Sequence, residues 1–227
     1  MQLFCIPYAG GKAAVFEQLQ PYLKEDITLC PLEYAGHGTR INEPFYPSFD
    51  AMAQDIAEQI NAAAAGESIA IFGYSMGSVV AFELLLNQYL HTPVEHLFIA
   101  SHEAPGEHWS SMDYAALDDE AFFEKLIEFG SFQAGDEKRL TNRFFRKMIF
   151  NSIRADYRLI ASYRLTNDRQ LDLPVTMMYS PLDVPTEAAE KWQNRFVKPI
   201  RYITVGSNHF FIYEQPQTVA DIMNQTL

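Results

Sequence analysis

The sequence predicts an α/β fold in which a mostly parallel sheet is flanked by helices, and three observations support this prediction. Short apolar runs, rich in β-branched and aromatic residues, recur along the 227 residues. Segments with helical periodicity separate most of these runs. One long interval carries helical patterns but no strand pattern, which predicts a helical insertion. A chain of this length can bury one substantial core, so we expect a single domain over residues 1–227.

Six apolar runs are predicted to form the strands. Most are continuous rather than alternating, which is typical of strands that are covered on both faces. They are residues 3–8, 27–33, 68–73, 96–101, 175–180 and 200–205. Because ligands bind beyond the carboxyl ends of the strands in open parallel sheets, the chemistry is expected just after these runs.

Helical periodicity marks further segments, several of which begin at a polar residue or a proline. They are residues 12–24, 51–64, 76–90, 186–196 and 214–225. The long interval, residues 102–174, holds two more helical patterns, at about 118–129 and 137–164. Its aromatic content argues against disorder. We interpret it as an inserted helical lid over the site.

Composition excludes several classes of protein. The formal net charge of −12, from 17 Lys and Arg against 29 Asp and Glu, argues against nucleic acid as a partner. There is no apolar run of membrane-spanning length and no basic lead-in of a signal peptide, so a cytoplasmic monomer without a membrane partner is expected. Cys5 and Cys30 are too few for a disulfide scaffold or a zinc site built on cysteine. No metal or cofactor is predicted.

The segment Gly73-Tyr74-Ser75-Met76-Gly77 fits the pattern G-x-S-x-G at the end of a predicted strand and the start of a predicted helix. A side chain at either glycine would collide with the neighbouring backbone in so tight a turn. The turn would hold the Ser75 hydroxyl exposed at the sheet edge, as in a nucleophile elbow. The alternative is a purely structural turn.

A serine nucleophile needs a histidine base, which an acid orients, and the chain order in this arrangement is serine, acid, histidine. His209, in "GSNHFF", is the one histidine after the last predicted strand and is therefore the predicted base. The other five are interpreted as surface or packing residues, with only His37 and His102 expected to approach the cleft. These five are His37, His91, His96, His102 and His108.

The predicted acid is Asp183, which follows the strand in "VTMMYSPLDVPTEAAEKW". It could instead be an ordinary turn or helix-capping residue. Asp156 and Asp172 are weaker candidates because one lies inside the predicted lid and the other precedes the strand.

An oxyanion formed at the substrate carbonyl needs backbone donors. The N–H of Met76 lies at the predicted start of a helix, where the helix dipole favours negative charge. The second donor is expected from the loop "PYAGG" after the first strand, where glycines allow close approach of a ligand. Ala9 is the predicted donor, with Tyr8 or Gly10 as alternatives.

These motifs make the sequence resemble the type II thioesterases of nonribosomal peptide and polyketide synthesis, which have the α/β-hydrolase fold. The likeness runs nearly end to end. It includes "LFCIPYAGGKAAVF", "LEYAGHGTR", "IFGYSMGSVVAFEL", "LDDEAFFEKLIEFG", "SIRADYRLIASYRL", "YSPLDVPTEAAEKWQ" and "GSNHFFIYEQPQTVADI". The elbow is shared with lipases, esterases and acyltransferases, whereas the two lid phrases are more specific. One departure is Gly-Ser-Asn before the histidine, where a second glycine is common.

The resemblance implies hydrolysis of an acyl or aminoacyl thioester on the phosphopantetheine arm of a carrier protein. Such hydrolysis clears misprimed or stalled carriers in antibiotic-type biosynthesis. Ser75 would be the nucleophile, His209 the base and Asp183 the acid that orients it. The rival readings are a general carboxylesterase, an acyl-coenzyme A thioesterase, a serine acyltransferase with an acceptor other than water, and a non-catalytic binding protein.

Nine of the 17 Lys and Arg lie between residues 138 and 169, where only Asp156 and Asp168 oppose them. On a helix, Arg143, Arg146 and Lys147 share one arc with Arg139. This arc is either a solvated face or a docking surface for an acidic carrier protein. The apolar side would then line the acyl chamber together with Phe122, Phe123, Phe129 and Phe132.

Overall fold

The computed structural model describes residues 1–66, 68–106, 114–130, 141–165 and 167–227. Within them lies a parallel sheet of six strands in the order β2-β1-β3-β4-β5-β6. The strands are β1 Gln2–Ile6, β2 Thr28–Pro31, β3 Ile69–Tyr74, β4 Val94–Ala100, β5 Val175–Tyr179 and β6 Arg201–Thr204. The predicted parallel sheet and each of its predicted strands are confirmed. Continuous apolar runs favour strands of a parallel sheet whose two faces are covered.

The helices are α1 Phe49–Ala63, α2 Met76–Leu86, α3 Asp119–Glu128, α4 Arg143–Ser162, α5 Thr186–Glu190, α6 Phe211–Glu214 and α7 Pro216–Thr226. The segment predicted as a helix at 12–24 is instead a 3₁₀ helix, Ala13–Tyr22, with Pro21 inside it. Proline lacks the N–H that an α-helical turn requires. The pattern at 186–196 is likewise shared between α5 and a 3₁₀ turn, Lys191–Arg195.

The central strand β3 separates two layers of core. Ile69 and Ile71 belong to a cluster with α1 and α2, whereas Ala70 and Phe72 belong to a cluster with the 3₁₀ helix and α7. Successive side chains of a strand point to opposite faces, so both faces of the sheet are covered. Helix α2 is apolar all round and almost entirely buried, which fixes the turn that precedes it against the sheet.

The described residues between 102 and 174 contain no strand of the sheet, and this part of the chain is called the helical segment below. Helix α3 lies within the pattern predicted at 118–129, and α4 within the pattern at 137–164, part of which falls on residues 131–140 outside the description. The two helices share a small core of Phe122, Leu126, Phe150 and Ile153. None of the described helices combines the length and the apolar character needed to span a lipid bilayer.

Candidate active site

Ser75 sits in a strained turn between β3 and α2. Its backbone has φ 53° and ψ −119°, in a region that residues other than glycine rarely adopt. The Ser75 N–H donates to the carbonyl of Ala100 at 2.7 Å. A Cβ on Gly73 would lie 2.4 Å from the Gly77 oxygen, and a Cβ on Gly77 would lie 2.1 Å from the Ile6 oxygen. Backbone atoms therefore leave no room for a side chain at either position, as the elbow pattern predicts.

The elbow is also bound to the next strand by Ser78, a residue that the motif did not single out. Its buried hydroxyl donates to the Gly73 carbonyl at 2.8 Å and accepts from the Ala100 N–H at 3.1 Å. A serine in the first turn of a largely apolar helix was the one available signal. Because Ser78 ties the elbow to the end of β4, the serine turn and the sheet edge form one rigid unit.

His209 lies between Ser75 and Asp183. Its Nε2 is 3.0 Å from the Ser75 Oγ, and its Nδ1 is 2.9 Å from both carboxylate oxygens of Asp183. An imidazole with its proton on Nδ1 donates to Asp183 and leaves Nε2 free to accept from the serine hydroxyl. The side chains of His209 and Asp183 are only 10% and 9% exposed, so little water competes for these contacts. This arrangement can remove a proton from Ser75.

The position of His209 is fixed through its own backbone. Its carbonyl accepts from the Tyr74 hydroxyl at 2.7 Å and from the Ser101 hydroxyl at 3.1 Å. The rings of Phe129 and Phe210 flank the imidazole, with centroids 4.7 and 4.9 Å away. Tyr74 ends β3 and Ser101 directly follows β4, so these two contacts fix the histidine loop to the sheet. No local sequence pattern indicates either contact.

Asp183 belongs to the turn that follows β5, where its N–H donates to the Ser180 carbonyl at 3.0 Å. The N-cap of α5 is Pro185, so the alternative role of Asp183 as the cap of this helix does not hold. Asp172 is 67% exposed and lies 3.6 Å from Lys198. Asp156 is buried, but its partners are Gly10 and His37 rather than His209. Of the three aspartates considered, only Asp183 meets the histidine.

Met76 begins α2, and Ala9 lies in the loop after β1. Among the residues that the structure describes, no acceptor is bound to the N–H of either residue. The alternative donor Gly10 is engaged, since its N–H donates to the Asp156 carboxylate at 2.7 Å. The two predicted donors are therefore available to a ligand oxygen.

Among the described histidines, only His209 contacts Ser75 and Asp183. Burial lowers the pKa of His102 to about 4, and its Nδ1 lies 2.8 Å from the Glu103 carbonyl. Burial also lowers the pKa of His96 to about 4, where Nε2 is 2.9 Å from the Thr176 hydroxyl. His37 is buried beside Asp156, His91 is exposed, and His108 falls outside the described residues.

The three basic residues predicted for docking differ in their surroundings. Arg143 and Lys147 are exposed. Arg146 is only 28% exposed and 4.0 Å from Glu120, with its guanidinium 5.5 Å from the ring centroid of Phe123. Of the aromatic residues predicted for the chamber, Phe122 is buried, Phe129 contacts His209, and Phe132 lies outside the described residues.

The chain resembles known proteins over its whole length. Residues 1–227 match the family model described as Thioesterase domain. The gramicidin S biosynthesis protein GrsT of Aneurinibacillus migulanus is 27% identical over 231 residues, covering 100% of this chain and 89% of that protein.

Solved structures give the same result. ClbQ, from the colibactin NRPS/PKS pathway, superposes with a TM-score of 0.90 at 29% identity, covering 99% of this chain and 95% of that one. RedJ, a thioesterase from the prodiginine pathway of Streptomyces coelicolor, superposes with a TM-score of 0.87 at 26% identity, covering 100% and 86%.

Proposed function

The chain belongs to the thioesterase domain family, and from this premise we propose that it is a type II thioesterase that hydrolyses acyl or aminoacyl thioesters on the phosphopantetheine arm of carrier proteins. The observation that carries the proposal is the continuous contact from Ser75 through His209 to Asp183. The relatives add the substrate class, since GrsT is named for gramicidin S biosynthesis and ClbQ for an NRPS/PKS pathway.

The first half of the reaction transfers the acyl group to Ser75. The serine oxygen attacks the thioester carbonyl carbon while His209 Nε2 takes the hydroxyl proton. The carbonyl oxygen becomes an oxyanion, to which the N–H groups of Met76 and Ala9 donate. Collapse of this intermediate breaks the carbon–sulfur bond, and the protonated His209 returns its proton to the departing pantetheine sulfur.

The second half releases the product. Water attacks the acyl-Ser75 carbonyl as His209 takes one of its protons, and the same two N–H groups hold the second oxyanion. Collapse breaks the ester bond, His209 gives its proton to the Ser75 oxygen, and the free acid leaves. Asp183 keeps the imidazole in the tautomer that can accept from the serine and stabilises it when charged.

The helical segment is the lid of this single-domain enzyme. Phe129, which follows α3, places its ring 4.7 Å from the His209 imidazole, so the segment forms one wall of the site. Phe122 and Phe123 pack with Phe150 in the small core of the segment, so they support this wall from within rather than line the site. The lid presents the partly exposed ring of Phe129 to the acyl group and limits the access of water to the reacting atoms.

The outer surface of α4 is the docking site for the carrier. Arg143 and Lys147 are four residues apart and exposed, which places them on one face of the helix. Carrier proteins of these systems are acidic and their arm carries a phosphate, so basic side chains complement both. Arg146 contributes less because its guanidinium is already held over aromatic rings.

The test of the reaction is mass spectrometry of a carrier protein loaded with acetyl, aminoacyl or longer acyl groups, before and after addition of the enzyme. Loss of the acyl mass with retention of the arm is expected, and Ser75→Ala should abolish it. Acyl-coenzyme A and aryl esters serve as comparison substrates. Faster turnover of those substrates would favour a general esterase, and no turnover of any ester would favour a binding protein.

The test of docking is charge reversal. The double variant Arg143→Glu with Lys147→Glu should lower kcat/KM for the acyl carrier at least about tenfold, because reversed charge opposes association. Hydrolysis of acyl-pantetheine, which has no carrier, should be unchanged. The matched control is Lys24→Glu with Lys198→Glu, since these exposed lysines lie just before β2 and β6, at the amino-terminal ends of the two edge strands and away from the carboxyl ends that form the site. An equal loss in the control would attribute the effect to net charge alone.

A further inference from the structure

Asp156 is the most deeply buried carboxylate near the site, and the reaction described above does not use it. It lies on α4, is 1% exposed, and is an acceptor for the backbone N–H of Gly10 at 2.7 Å. Burying a carboxylate is costly unless charge and hydrogen bonds compensate it. The side chain therefore needs a structural or functional reason to be there.

Gly10 is in direct contact with α4. Its φ of +76° is one that glycine adopts readily, and a Cβ there would lie 2.3 Å from Ile153 Cγ1. Ile153 and Asp156 are three residues apart and so share a face of the helix. The same helix face thus packs on Gly10 and binds its N–H.

The contact constrains the neighbouring residue, Ala9. On one side, the Gly11 N–H donates to the Tyr8 carbonyl at 2.8 Å and closes a tight turn. On the other side, the bond from Gly10 to Asp156 fixes the peptide plane that joins Ala9 to Gly10. With both flanking peptides held, the direction of the Ala9 N–H is set by the loop rather than by the substrate.

His37 supplies the compensating charge. Its Nε2 lies 2.9 Å from the Asp156 carboxylate, at ion-pair distance although the ring N–H is not aligned with the oxygen. Its Nδ1 lies 3.0 Å from the Ala35 carbonyl, so an acceptor faces each ring nitrogen, as suits the protonated ring. Burial favours the neutral ring, but Asp156, the Ala35 carbonyl and Glu33 outweigh it and raise the pKa of His37.

We propose that Asp156 is a positioning residue with His37 as its counter-ion. By holding the Ala9–Gly10 peptide it restrains the backbone at Ala9, so that the Ala9 N–H, which belongs to the preceding Tyr8–Ala9 peptide, points at the oxyanion. The long helix of the lid is then also the support of the oxyanion hole. This inference rests on the proposed function, because it assigns a role in the same reaction.

The experiment compares Asp156→Ala with Asp156→Asn, using acyl-pantetheine as the substrate so that carrier docking has no influence. Active sites are counted by the burst of acyl-enzyme, and kcat is given per active site. The alanine variant should lose about 10²-fold in kcat with KM within about threefold, because a misdirected donor weakens binding of the transition state only. The asparagine variant keeps an oxygen for Gly10 and should recover most of the loss.

Asp119→Ala is the matched control. Asp119 is 71% exposed and pairs with Arg154, so the substitution removes an ion pair of the helical segment without touching the loop. Its kcat per active site should equal that of the wild type. A Ser75→Ala variant that retained full activity would overturn the proposed function itself. If Ser75→Ala is inactive but Asp156→Ala keeps wild-type kcat per active site, the positioning role is wrong and the function stands.

If Asp156→Ala does not fold, the proposal is tested by comparing Asp156→Asn with Asp156→Leu, both of which are close to aspartate in size. Leucine fills the space but offers no acceptor to the Gly10 N–H, so kcat should fall at least about tenfold below that of the asparagine variant. Equal kcat values per active site in these two variants would overturn the proposal.

Discussion

The serine turn and the helical segment face each other across the site, but different kinds of contact hold them. The serine turn is fixed by backbone atoms, since the Ser75 N–H is bonded to Ala100 and Gly77 leaves no room for a Cβ. The helical segment has its own small core and is tied to the rest by side chains. Among these are Asp156, which binds Gly10, and Tyr163, which binds Glu83 on α2.

This difference separates two tasks. Contacts between backbone atoms do not depend on side-chain rotamers, provided that the two glycines keep room for them, so they suit a nucleophile that must hold a single geometry. Helix α3 and the small core belong to a part of the segment that packs apart from the main core, whereas Leu159 and Tyr163 near the end of α4 belong to the main core. A part attached mainly by a few side chains can shift by losing those bonds, which suits a wall that admits a substrate. On the proposed function, the reacting groups lie at the carboxyl ends of the strands and this movable wall lies above them.

The largest effect should come from the reacting hydroxyl. Ser75→Ala should lower kcat by about 10⁴-fold or more while leaving the thermal midpoint within a few degrees, because the substitution removes a nucleophile and little packing. Single-turnover hydrolysis of acyl-pantetheine measures the loss. A comparable loss from any one substitution on the outer face of α4 would break the division of tasks.

Next in size is the backbone of the turn. Gly77→Ala should lower the free energy of unfolding by about 4 kcal/mol or more, since the new Cβ meets the Ile6 carbonyl and no side chain can move aside. Urea denaturation measures it. The control is Gly66→Ala, where the nearest atom to an added Cβ is 3.3 Å away and a change of under about 1 kcal/mol is expected. Equal losses at both glycines would argue against a turn fixed by backbone contact.

A smaller effect is expected at the other anchor of the helical segment. Tyr163→Phe removes the hydroxyl that donates to Glu83 at 2.8 Å in a buried setting, so a loss of about 1 to 3 kcal/mol is expected. Hydrogen exchange should rise in α4 and not in β3. Tyr89→Phe, which removes a surface contact to Asp50, is the control and should change stability little. Equal exchange in α4 and β3 would show that the segment does not open separately.

The smallest effect concerns pH. The pKa of His37 is raised in the folded state, so its contribution is complete below the ordinary imidazole value near 6.5 and is lost as pH rises through the raised value. The stability advantage of the wild type over Asp156→Asn should therefore shrink as pH rises above about 6.5. Each tenfold difference in proton affinity between folded and unfolded states is worth about 1.4 kcal/mol.

Urea denaturation of both proteins at several pH values measures this difference. His96 and His102 have lowered pKa values and act in the opposite direction, losing stability as pH falls below 6.5 toward about 4. They are present in both proteins and cancel. An advantage that stays constant or grows with pH would mean that His37 is not protonated beside Asp156.

The inner strands of the sheet were predictable because a strand buried on both faces is apolar almost throughout, as in β3. The ends and types of the helices were less predictable from the sequence. The pattern at 12–24 has helical periodicity, yet Pro21 and the approach to β2 make it a 3₁₀ helix. Residues 137–140 of the pattern predicted at 137–164 lie outside the description.

At the site, the sequence is informative where chemistry leaves a local pattern. The elbow pattern located Ser75, and the position of the last strand selected His209. The supports of these groups leave no such pattern, since Asp156 and Gly10 are 146 residues apart and Tyr74 meets His209 across 135 residues. A buried aspartate in a helix and a tyrosine inside a motif look ordinary until the chain is folded.

The position of Asp156 on α4 has a consequence for substrates of different size. Any acyl chain bulky enough to lift α4 off the sheet also carries the Asp156 carboxylate away from Gly10, because Asp156 is part of that helix. An oversized acyl group would still bind, but it would be hydrolysed slowly. Selection by chain length would then appear in the turnover number, whereas the binding affinity would change little.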